Sequence, residues 1–171
     1  MIFPEFHNID EINFIREKYD PLVHNVRPHI TLVFPFISDL TSDELKTHIL
    51  EILASIKPFK LQLQRINGQM EDYWNYIFLG VQEGKNEIID LHKRLYTGIL
   101  EQFYPKFLKG KGYSPHMTVG KIQNKDEFHH ALKELAEFKE PFETTIQYIS
   151  VEIIDDNEDS MIEMHVKLSG T

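Results

Sequence analysis

Apolar residues along this 171-residue chain recur at two different spacings. Leu45, Ile49, Ile52, Leu53 and Ile56 follow steps of three and four, which places them on one stripe of an amphipathic helix. Thr41 with Glu44 three residues later is a capping-box signature for its start. Pro58 sets its end near Lys57, because proline pushes the preceding residue out of the helical region. Residues 60–66 then alternate with the two-residue period of a strand.

The same order returns later in the chain. Asn124 with Glu127 marks a helix start, Phe128, Leu132, Leu135 and Phe138 form its stripe, Pro141-Phe142 ends it, and residues 144–153 read as a strand. Upstream of the first set lie a short strand candidate at residues 1–3 and a helix beginning at Asp10. Upstream of the second lie a strand at 76–81 and a helix over about 86–103, striped by Ile88, Leu91, Leu95, Ile99 and Leu100. Residues 161–168 read as a closing strand. Loops are expected at 67–75, 105–114 and 155–160. The last is acidic but lacks the glycine and terminal glutamate of a calcium loop, so it is read as a solvated hairpin turn.

The chain is thus written twice, as repeats of approximately 1–66 and 76–153 with the closing strand 161–168. Each half reads strand, helix, motif strand, helix, strand. The expected fold class is α+β, a duplicated two-lobe arrangement with pseudo-twofold symmetry. Neither half is large enough for a comfortable core alone, so residues 1–171 are expected to form one two-lobed domain.

The motif strands carry the chemistry. Pro28-His29-Ile30-Thr31-Leu32 and Pro115-His116-Met117-Thr118-Val119 share one pattern half a chain apart. In a strand, residues two apart share a face, so each copy presents an imidazole beside a hydroxyl while Ile30 or Met117 faces a core. Pro28 and Pro115 suit strand entry, where no ladder donor is needed. Two such pairs around one anion supply two proton-transfer groups and two hydrogen-bond donors.

Composition narrows the setting. Eighteen Lys and Arg against 27 Asp and Glu give a formal charge of −9. Such a surface disfavours an extended nucleic-acid duplex, though a local pocket for one phosphate remains open. The absence of cysteine excludes disulfides, thiolate metal sites and cysteine nucleophiles. No signal peptide and no membrane-spanning apolar run is read, so the expected location is cytoplasmic, with no membrane partner.

Paired H-x-T motifs at equivalent points of an internal repeat resemble the two-histidine phosphoesterases, which include 2′-5′ RNA ligase-like proteins and 2′,3′-cyclic nucleotide phosphodiesterases. The resemblance covers essentially the whole chain. It implies antiparallel sheets lining a central groove with helices outside, His29 and His116 as catalytic residues, and Thr31 and Thr118 as phosphate-binding residues. It implies a small nucleotide or RNA-end phosphodiester as substrate, hydrolysed or reversibly ligated by His/His acid–base chemistry, with no cofactor and no metal. Many members carry Arg three residues after the second Thr; Lys121 stands there, keeping the charge without the guanidinium fork. Lys121, Tyr113 and Arg27 are further candidates for substrate contact. The alternative is a binding module that holds a phosphorylated, nucleotide-like ligand in the same groove without turnover. His7, His24, His48, His92, His129, His130 and His165 are read as surface or packing residues.

Overall fold

A computed structural model describes residues 1–157 and 159–170. Glu158, in the predicted 155–160 turn, lies outside the described residues. The fold is α+β. The elements in chain order are α1 (Ile9–Tyr19), α2 (Ser42–Leu53), β1 (Phe59–Met70), β2 (Asn75–Glu83), α3 (Lys85–Leu95), two 3-10 turns (Gly98–Phe103 and Lys106–Leu108), β3 (His116–Ile122), α4 (Lys125–Leu135), β4 (Phe142–Ile146), β5 (Tyr148–Ile154) and β6 (Ser160–Lys167).

One sheet has the order β3-β2-β1-β4 and a hairpin pairs β5 with β6, all antiparallel. Two short extended segments join them. Ile30 bridges both Met117 of β3 and Ile2, and Met1 exchanges backbone hydrogen bonds with Ser150 of β5. A row of apolar residues therefore crosses the whole curled sheet: Val166, Ile149, Ile2, Ile30, Met117, Leu79 and Ile66. The first five and Leu79 are buried.

The helices cover this apolar face. Ile12 and Ile15 of α1, Ile49 and Leu53 of α2, Ile88, Leu91 and Leu95 of α3, and Phe128, Ala131 and Leu135 of α4 join one core cluster. The Thr41–Glu44 capping box forms as its sequence predicts, and Asn124 Oδ1 accepts from the amides of Asp126 and Glu127. Gly68 lies beneath α4, where an added Cβ would come within 2.6 Å of Leu132.

Several boundaries differ from the sequence pattern. The first motif is not a full strand: only Ile30 pairs, because the chain turns just before it and bends just after. The 86–103 helix stops at Leu95, since Thr97 is extended and Gly98 has φ 54°. The expected 144–153 strand breaks at Gln147, with β4 in one sheet and β5 in the other. The 67–75 loop shrinks to 71–74, because Asn67-Gly68 sits inside β1, held under α4 rather than in a turn. Helix α2 ends at Leu53, ahead of Lys57.

Candidate functional site

The Ile30–Met117 bridge is antiparallel. It therefore sets His29 opposite Thr118 and Thr31 opposite His116. Ile30 and Met117 are completely buried, so their four neighbours, all half-buried, point to the other, open face. Cβ atoms directly opposed in such a pair lie about 4.5–5.5 Å apart, and diagonal neighbours roughly 7–8 Å. The two imidazoles are the diagonal pair, with a hydroxyl beside each.

Both imidazoles are oriented the same way. His29 Nδ1 lies 2.9 Å from the Arg27 carbonyl, and His116 Nδ1 lies 2.9 Å from the Ser114 carbonyl. A carbonyl only accepts, so each Nδ1 carries the proton and each Nε2 keeps a lone pair for a ligand. Burial pushes both groups below the ordinary imidazole value, partly opposed by these carbonyls and, at His29, by the charge of Glu152. Both rings are therefore mainly neutral at neutral pH.

Each imidazole also has an aromatic neighbour, and each flank of the open face carries a cation held over an aromatic ring. Phe3 lies 5.9 Å from the His29 ring and Phe78 lies 4.0 Å from the His116 ring. The Arg27 guanidinium sits 4.6 Å over Phe3, and Lys121 Nζ sits 4.6 Å over Trp74. Simple alternation would turn Lys121 away from Thr118. A bulge opposite Ile77 and Phe78 inserts an extra residue in β3, so Val119 and Gly120 are both buried and Lys121 returns to the open face.

Tyr113 is placed differently from the other substrate-contact candidates. Its hydroxyl donates to the Thr31 carbonyl at 2.6 Å, and its ring stacks on His92 at 3.8 Å. His92 Nδ1 in turn donates to the Leu32 carbonyl at 2.7 Å, and the Phe34 amide donates to the Tyr96 hydroxyl at 2.9 Å. Three side chains thus hold the backbone of residues 31–34, which lacks a ladder partner there. From the sequence His92 reads only as a surface or packing residue. The available signal was its position on the buried stripe of α3, since a polar group among apolar ones needs a hydrogen-bond partner.

The approach to His29 is held by an ion pair that sequence reading did not find. Arg16 Nε donates to Asp20 at 2.8 Å, and its Nη2 donates to the carbonyls of Leu22 and Val26. Asp20 Oδ1 accepts from the Leu22 amide. Both partners are buried, so the turn leading to Arg27 and His29 is fixed from inside. Among the described residues, no three His, Cys, Asp or Glu side chains gather closely enough to hold a metal ion. No helix among them is long and apolar enough to cross a membrane.

The sequence profile of the 2′-5′ RNA ligase superfamily matches residues 4–158. The chain belongs to that superfamily. It is 29% identical over 135 residues to a Bacillus licheniformis protein named "Putative phosphoesterase", covering 77% of this chain and 75% of that one. A protein of the same name from Oceanobacillus iheyensis is 30% identical over 137 residues, covering 78% and 75%. Another from Bacillus pumilus is 30% identical over 147 residues, covering 85% and 82%. Membership and these names support phosphoesterase chemistry in general terms.

Proposed function

We propose that this member of the superfamily is a metal-independent phosphoesterase acting on a 2′,3′-cyclic or 2′-5′-linked phosphodiester of a nucleotide or RNA end. One observation carries the reading: the antiparallel Ile30–Met117 bridge, which aligns two H-x-T motifs head to tail on one open face.

Opening a cyclic phosphodiester requires a base to take a proton from water and an acid to protonate the leaving sugar oxygen. In-line displacement puts these groups on opposite sides of phosphorus. Two imidazoles at the ends of a diagonal suit that geometry, each offering Nε2 while Nδ1 is tied to a carbonyl. Neutral imidazole accepts the first proton, and the protonated partner donates the second. The hydroxyls of Thr31 and Thr118 donate to the non-bridging oxygens, where charge accumulates. In the ligating direction the two histidines exchange roles. Because burial disfavours imidazolium at both sites, the bell-shaped profile has its maximum on the acid side of neutrality.

The test is turnover of a panel of 2′,3′-cyclic nucleotides and 2′-5′ oligoadenylates in EDTA. His29→Ala and His116→Ala should each lower kcat/KM by about 10²–10⁴-fold while the protein remains folded. Normal turnover by both variants would overturn the assignment. Tight binding with no product from the native protein would make the groove a binding module instead.

A further inference from the structure

The open face continues past His29 into a polar cleft of about 450 Å³. Its wall begins at Phe3, the ring beside His29, and includes the Arg27 side chain. Ser150 and His165 line it further out. The ladder accounts for this placement: Ile2 pairs with Ile30, Met1 with Ser150, and Ser150 with His165. The cleft is therefore the lateral extension of the His29–Thr31 surface.

Its chemistry is that of a donor-rich pocket. Arg27 is held over Phe3, and among the described residues no carboxylate lies within ion-pairing distance of it. His165 Nδ1 and the buried Ser150 Oγ are 2.8 Å apart, which leaves the other ring nitrogen of His165 for a ligand. Thr145 also lines the wall, and the one acidic residue of the lining, Glu5, is exposed. In a chain of net charge −9, a cation and an imidazole facing one polar hollow form a local exception that suits an anion.

The His116 side is built otherwise. Phe78 lies against His116, Tyr76 stacks on Phe78 at 5.9 Å with an interplanar angle of 9°, and Trp74 lies under Lys121. That flank offers flat apolar surface, which suits a base or other planar ring.

Resting on the phosphoesterase reading above, we propose that the cleft of Arg27 and His165 is a subsite for a second phosphoryl group of the substrate. The substrate class is then a phosphodiester that carries a further phosphate on the His29 side and a planar group on the His116 side. Arg27 supplies a fixed charge, and His165 supplies a directed Nε2–H donor when the Ser150 hydroxyl donates to its Nδ1.

The test compares 2′,3′-cyclic AMP with its 5′-phosphorylated form. Native protein should favour the phosphorylated form by roughly 10–100-fold in kcat/KM, chiefly through KM, as expected for one or two charge-assisted hydrogen bonds. In Arg27→Gln and in His165→Gln that ratio should fall towards one. Equal kcat/KM on the two substrates, or an undiminished ratio in both variants, would overturn the subsite while leaving the phosphoesterase reading intact. Turnover of neither substrate would count against the parent reading. The subsite is then decided by NMR titration of native protein with inorganic phosphate. Movement of the His165 imidazole resonance supports it, and a stationary His165 overturns it.

Discussion

The Tyr113 hydroxyl donates a 2.6 Å hydrogen bond to the Thr31 carbonyl, so the segment entering the second motif holds the backbone of the first. Replacing Tyr113 with Phe removes that bond and leaves the stack on His92. The expected loss of stability is about 1 kcal/mol. The kcat should fall more than KM rises if Thr31 has the role proposed for it, that of donating to the non-bridging oxygens of the reacting phosphate. Steady-state kinetics beside thermal unfolding of the same variant separates the two effects. A variant with unchanged kcat would show that the bond serves stability alone.

Burial disfavours protonation of His29, His92 and His116. Their folded-state values lie below the unfolded imidazole value of about 6.5, so between the two the unfolded chain binds more protons. Stability from this source is complete above about pH 6.5 and is lost as pH falls through the folded values. Urea unfolding at about pH 7.5 and about pH 5.5 should show a lower midpoint in acid. His92→Phe should reduce that difference, because one of the three groups no longer titrates.

Arg16 is buried with its guanidinium divided between Asp20 and two carbonyls. Arg16→Ala strands the Asp20 carboxylate and should cost about 3–5 kcal/mol. The double variant Arg16→Met, Asp20→Leu removes both charges and should recover part of that loss. Chemical denaturation of the three proteins measures it; equal losses in the single and double variants would contradict the account.

Thr41 accepts from the Glu44 amide, and Glu44 accepts in return from the Thr41 amide. Thr41→Ala should destabilise the protein by about 1 kcal/mol, and Thr41→Ser should leave it nearly unchanged. Glu44 should also titrate somewhat closer to its ordinary value in Thr41→Ala: the backbone bond, the larger cause of its lowering, persists, while the hydroxyl bond that adds to it is lost. An NMR titration of Glu44 reads this directly.

Local chemistry explains which elements were legible. The caps at Thr41 and Asn124 and the buried stripe of α3 depend on residues within a few positions of one another, so spacing alone revealed them. The paired H-x-T motifs were legible for the same reason, as was the alternation that buries Ile30 and Met117. Gly68 shows the opposite case: beside Asn67 it reads as a turn, yet Phe128 and Leu132 of a distant helix keep it in a strand. Gln147 likewise carries no local mark of the change from one sheet to the other.

The residue pattern by itself determined that two imidazole–hydroxyl pairs exist, each backed by a buried apolar residue. Only the tertiary structure decided that Ile30 would pair with Met117 and thereby set each histidine opposite the other motif's threonine. It also decided that a bulge would return Lys121 to the open face, and that His92, Tyr96 and Tyr113 would hold residues 31–34. Periodicity reports which face a residue occupies within its own element. Register between strands depends on packing and hydrogen bonds between residues far apart in the chain, which no local pattern encodes.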